Sequence, residues 1–154
     1  MHTENTDALP LLVTDDEYVA RAIFYPNFVN KNKKIKPSAF KAPSGRRDVS
    51  VNRLAALGAN ECKAKSRSIG ISGDFTGFAV LTAKSVRQCG SDVVDSRAEY
   101  FGHADIIHDQ ILPKGEPPPP EFNERLKRMV EASQYFYDPS PESEYWEGED
   151  FSAK

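Results

Sequence analysis

Gly77-Phe78-Ala79-Val80-Leu81-Thr82 is a continuous apolar run behind a glycine-rich turn, and the fold class follows from how it is read. A short run of this kind, without polar alternation, is the pattern of a central strand covered on both faces. Ala83 to Gln88 then reads as a helix of one to two turns, with Gly90 supplying a left-handed cap, and Val93-Val94 as a second short strand. Strand, short helix and strand so close together leave little room for a parallel crossover, so an antiparallel or mixed sheet follows.

Working outward, Asp48-Val49-Ser50-Val51-Asn52-Arg53-Leu54 alternates polar and apolar and is read as a strand. Residues 55–67 are Ala- and Lys-rich and read as a helix that Gly58 weakens. Thr14 followed by Glu17 has the form of a helix start, and Tyr18, Val19, Ala22 and Ile23 recur at helical spacing, which predicts a helix over 15–24 stopped by Pro26. Beyond His103, the pairs Ile106-Ile107 and Ile111-Leu112 are strand-like. Pro117–Pro120 form a polyproline spacer before a helix over 121–135, with Phe122, Leu126, Met129 and Val130 as its apolar stripe. Glu121–Arg125 and Glu124–Arg128 are spaced for ion pairs along it. The expectation is an α+β domain over 14–137, a small mixed or mostly antiparallel sheet packed with three to four helices. A flexible arm (1–13) precedes it, and an acidic aromatic tail (138–154), disordered unless bound, follows.

The chain has 154 residues and a formal net charge of −3, but that charge is unevenly distributed. Between Lys31 and Arg67 lie eleven of the twenty Lys and Arg residues and two acids, Asp48 and Glu61; from Asp138 onward lie six acids and one Lys. A cationic segment attracts phosphates, acidic partners or the chain's own acidic tail. No apolar run approaches the ~20 residues that span a bilayer. The N-terminus has neither the cationic start nor the cleavage site of a secretory leader, so the cytoplasm is the expected location and no membrane partner is expected. Cys62 and Cys89 are spaced as ordinary thiols rather than as a metal or redox pair.

Three groups of residues are candidates for function. Lys33, Lys34, Lys36, Arg46 and Arg47 could track phosphates, with Phe28 and Phe40 stacking on unpaired bases; equally, they could meet an acidic protein. The acidic pI of about 5.6 speaks against a dedicated nucleic-acid binder. Tyr145, Trp146 and Phe151 among acids resemble a docking peptide that orders on a basic, apolar groove, either a partner's or this chain's own Lys31–Arg67 region. Gly102-His103-Ala104-Asp105-Ile106-Ile107-His108-Asp109 holds two histidines, but on a strand they point to opposite faces, which disfavours both metal ligation and an acid–base pair. Gly102 hints at a close backbone approach.

Arg21 to Pro26 (RAIFYP), Ser38-Ala39-Phe40, the Asp48–Leu54 run, Gly77-Phe78-Ala79-Val80 and Gly102 to Ile106 together resemble a loosely defined group of small, uncharacterised bacterial proteins. The resemblance brings no activity with it. It implies that Phe40, Ser50, Arg53 and His103 meet in one place, and it suggests bacterial conflict or anti-phage defence as a setting. The favoured reading is a cytoplasmic, non-catalytic accessory or recognition protein, without cofactor or metal, that binds a protein partner through its basic loop and acidic tail. One rival is a small RNase or nucleotide phosphodiesterase, with His103 as base or ligand, Asp105 orienting it and Arg53 on the phosphate. The other is a nucleic-acid-binding adaptor acting through Lys31–Arg67.

Overall fold

The computed structural model describes residues 9–67 and 71–151, and the expected arm (1–13) and tail (138–154) fall partly outside them. Six strands form one sheet: β1 (Tyr18–Tyr25), β2 (Asp48–Arg53), β3 (Asp74–Thr82), β4 (Asp92–Asp95), β5 (His103–Ile107) and β6 (Gln134–Tyr137). Their order is β4-β5-β2-β1-β3-β6, with every pairing antiparallel. Three α-helices among the described residues, α1 (Ala59–Ser66), α2 (Ala83–Gln88) and α3 (Pro120–Ala132), and a 3-10 turn (Pro37–Phe40) make the fold α+β. None of the helices is long and apolar enough to cross a membrane.

Strand alternation sorts the core into two layers. Val19, Ile23, Val49, Val51, Ala79, Leu81, Val93 and Ile106 pack with Val86 of α2, Phe122, Leu126 and Met129 of α3, and Phe40 of the 3-10 turn. This is the helical face. Ala20, Ala22, Phe24, Phe78, Val80 and Phe136 pack on the other side with Leu54, Leu57, Cys62 of α1, and Phe151 near the C-terminus.

The helix expected over 15–24 is instead the central strand β1. Val19 through Phe24 are all buried, because both sheet faces are covered here, so the run lacks the alternation that marks a strand. The Thr14–Glu17 signature closes a turn: Glu17 N–H donates to the Thr14 carbonyl at 3.1 Å. The helix expected over 55–67 begins at Ala59, where the Glu61 side chain accepts from the Gly58 N–H at 2.8 Å, so the glycine marks the start rather than a weak point. α3 ends at Ala132, and the aromatic Tyr135-Phe136-Tyr137 joins the sheet as β6. Ile111-Leu112 form no strand. Arg125 pairs with Asp109 at 2.8 Å rather than with Glu121.

The C-terminal segment, read as disordered unless bound, is bound to its own domain. Lys63 of α1, fully buried, places Nζ 2.7 Å from Asp138 Oδ2 and donates to the carbonyls of Ser140 (3.0 Å) and Tyr145 (2.6 Å). The Lys63–Asp138 contact is a charge pair without hydrogen-bond geometry at Oδ2. Arg67 donates to the Ser143 carbonyl, and the Trp146 N–H to Asn60 Oδ1. Phe151, fully buried, lies against Phe78, Phe136 and Trp146 with ring centroids 5.1–5.5 Å apart. Of the two grooves the sequence left open, the structure shows this chain's own α1.

Candidate functional site

The strand register separates the residues proposed for catalysis. Asn52 pairs with His103 and Ser50 with Asp105, so His103, Asp105 and Ser50 share the face away from α2 and α3. Arg53 follows Val49 and Val51 onto the helical face, with Phe40. Phe40, Ser50, Arg53 and His103 are thus divided between two faces, and the grouping implied by the resemblance does not form.

His103 is buried; its Nδ1 lies 2.6 Å from Ser96 Oγ and its ring meets Tyr100 edge-on at 4.9 Å. Asp105 Oδ1 is 4.0 Å from His103 Nε2, too far for a hydrogen bond, and burial pushes the Asp105 carboxyl above its usual range. Gly102 has φ +94°, and a Cβ there would stand 2.7 Å from the Leu57 side chain, so turn and packing account for it. His108 is also buried. Its Nε2 sits 2.7 Å from the Phe40 carbonyl and must carry the proton, so Nδ1 accepts from the Ser91 hydroxyl at 2.7 Å. Burial holds this imidazole below its ordinary pKa.

Arg53 is the hub of an ion network. Its Nε and Nη2 donate to both oxygens of Glu17 at 2.9 and 2.6 Å, and Nη1 to Asp95 at 2.8 Å and the Pro10 carbonyl at 2.7 Å. Burial would raise the Asp95 carboxyl, but Arg97 and Arg53 outweigh it and hold the group below its usual range. The guanidinium is fully buried with two carboxylates, so it is not presented to a phosphate. Burial also pushes the Cys62 thiol up to about 12, and both cysteines are free, so neither is poised as a nucleophile. The described residues hold no group of three or more His, Cys, Asp or Glu able to bind a metal.

A different residue stands out. β1 and β2 pair only at Val19–Arg53 and Ala20–Asn52, and past that point the side chain of Arg21 bridges them. Nε donates to the Ala39 carbonyl at 2.8 Å and Nη1 to the Ser50 carbonyl at 3.0 Å, with the Phe28 ring 4.9 Å from the guanidinium carbon. No carboxylate among the described residues pairs with it, and burial lowers its pKa to about 10. Arg21 lines a cleft of about 360 Å³ together with Phe28, Lys41, Arg46, Ser50 and Ile71. The cue in the sequence is one arginine inside the otherwise apolar Val19–Phe24.

The residues read as a binding surface divide similarly. Lys33, Lys34, Lys36, Arg46 and Arg47 are exposed. Lys33 lies 4.0 Å over the Tyr137 ring, Lys36 donates to the Pro26 carbonyl, and Arg46 pairs with Asp48 at 2.5 Å. Phe40 is buried in the core and cannot stack on a base, while Phe28, half-buried, already covers Arg21. Tyr145 is exposed, whereas Trp146 and Phe151 face inward, so the aromatic tail is core material rather than a presented peptide. Compared with family models, with curated proteins and with solved structures, the chain matches none of them.

Proposed function

We propose that this chain is a non-catalytic recognition domain that binds an acidic partner protein through the basic loop spanning residues 31–47, as an accessory component of a multiprotein bacterial system such as anti-phage defence. One contrast carries the reading. Arg53, Lys63, Arg87, Arg97 and Arg125 each have a carboxylate partner within the molecule. Of the seven loop cations only Arg46 has such a partner, Asp48; among the described residues none of Lys31, Lys33, Lys34, Lys36, Lys41 and Arg47 forms an ion pair. The acidic tail that could have neutralised them lies on α1 instead. A one-signed patch left uncompensated by its own chain attracts an opposite one. His103 and His108, by contrast, are buried in bonds to Ser96, Ser91 and Phe40.

The test is binding of fluorescent polyglutamate and of a single-stranded oligonucleotide to the full chain at two salt concentrations. Polyglutamate should bind, weaken with salt, and be lost on combined Lys33→Glu, Lys34→Glu and Lys36→Glu substitution. Tighter binding of the oligonucleotide would establish the nucleic-acid adaptor instead. Turnover of RNA or a nucleotide by the purified chain, abolished by His103→Ala, would establish the enzyme.

A further inference from the structure

We infer that the cleft where β1 and β2 part is a receptor for a carboxylate side chain of the partner protein, a glutamate or aspartate flanked by an apolar residue, with Arg21 as the group that binds it. This inference rests on the proposed acidic partner and adds the residue and pocket that read it. Three buried cations allow a comparison within one molecule. Arg53 and Lys63 are fully buried with carboxylates 2.6–2.8 Å away. Arg21, 5% exposed, has two neutral carbonyls and an aromatic ring. A buried charge is ordinarily paired, because desolvation is costly without a counter-charge. Arg21 lines a cleft, so its counter-charge can come from outside.

Geometry narrows the anion. The bonds to Ala39 and Ser50 use Nε and Nη1 and hold the guanidinium plane still, while Nη2 donates to no described group. A fixed planar donor suits the two oxygens of a carboxylate and spares part of the ordering cost of binding. The apolar lining residues, Phe28, Pro43, Val49 and Ile71, suit an apolar neighbour of the acid. Lys41 and Arg46 add positive charge, with Asp48 balancing one of them. The cleft volume, about 360 Å³, is at the small end of ligand pockets and admits a side chain and its neighbour.

The experiment is a titration of the 15N-labelled full chain, followed through the Arg21 Nε–H and the Phe28 and Ser50 amide signals. The probes are acetyl-Leu-Glu-Phe-amide, its Gln counterpart and inorganic phosphate. The Glu peptide should move these signals saturably, and the Gln peptide should bind about tenfold more weakly, the worth of a charge-assisted bond. Arg21→Gln should abolish the response; should that variant fail to fold, Lys41→Glu at the cleft rim should still weaken it severalfold. Equal binding of the Gln peptide, tighter binding of phosphate, or shifts confined to other residues would each overturn the assignment. A chain that binds polyglutamate through Lys33, Lys34 and Lys36 with no change at Arg21 overturns the cleft while leaving the basic loop's role intact.

Discussion

His108 joins the end of β5 to the 3-10 turn through Ser91 on one nitrogen and Phe40 on the other, an arrangement that the neutral ring satisfies. Burial, and the Arg125 guanidinium nearby, keep it from protonating in the folded chain at its ordinary value near 6.5. The unfolded chain takes up that proton, so this contribution to stability is complete above about pH 6.5 and is lost as the pH falls. Melting temperature should drop between about pH 7.5 and about pH 5.5, and His108→Gln should flatten the drop; an unchanged slope in the variant would remove His108 as its source. Arg53 gives a larger effect. Arg53→Met leaves Glu17 and Asp95 facing a buried void of charge, and denaturant unfolding should register a loss of about 3–5 kcal/mol. Polyglutamate binding at low denaturant should be unaffected, because Arg53 presents nothing to the surface.

At the scale of elements, the C-terminal segment is the clearest case of a stretch whose composition and packing disagree. Its acids make it look solvated, yet Asp138, Trp146 and Phe151 clasp it to α1 and the sheet. Lys63→Met should release the clasp, destabilise the fold by about 3 kcal/mol and shift the emission of Trp146, the single tryptophan, to the red. Unchanged emission would mean that the aromatic cluster holds without the lysine. Phe151→Ala, which empties a fully buried aromatic site, should cost about 3 kcal/mol or more on the same unfolding curve. β1 shows the converse problem. Its buried run is compatible with a helical stripe, and the competing principle that won is tertiary: a strand covered on both faces needs no alternation.

Across the whole molecule, positive charge divides into an internal and an external share. Arg53 and Lys63 are consumed inside, where each ties the body to a flanking segment, Pro10 on one side and Asp138 to Tyr145 on the other. The loop lysines remain outside, and their combined reversal should change stability by no more than about 1.5 kcal/mol, about 0.5 kcal/mol for each, while removing polyglutamate binding. An equal loss of stability and binding would mean that the loop is structural. β2, β3, the short β4 and the two helices α2 and α3 were readable in advance, because alternation, glycine boundaries and an apolar stripe are local properties. The positive loop was equally readable, since charge is counted along the chain. Which residues share a face was not: Arg53 and His103 are separated by one step of strand register, and Arg21 acquires its meaning from a gap between two strands distant in sequence. The amino-acid order by itself determined the α+β class, most elements and the charge segregation, each of which depends on near neighbours. Only the tertiary structure decided which charges are neutralised within the described residues and which are not, because ion pairing and desolvation depend on distances between segments that periodicity does not encode.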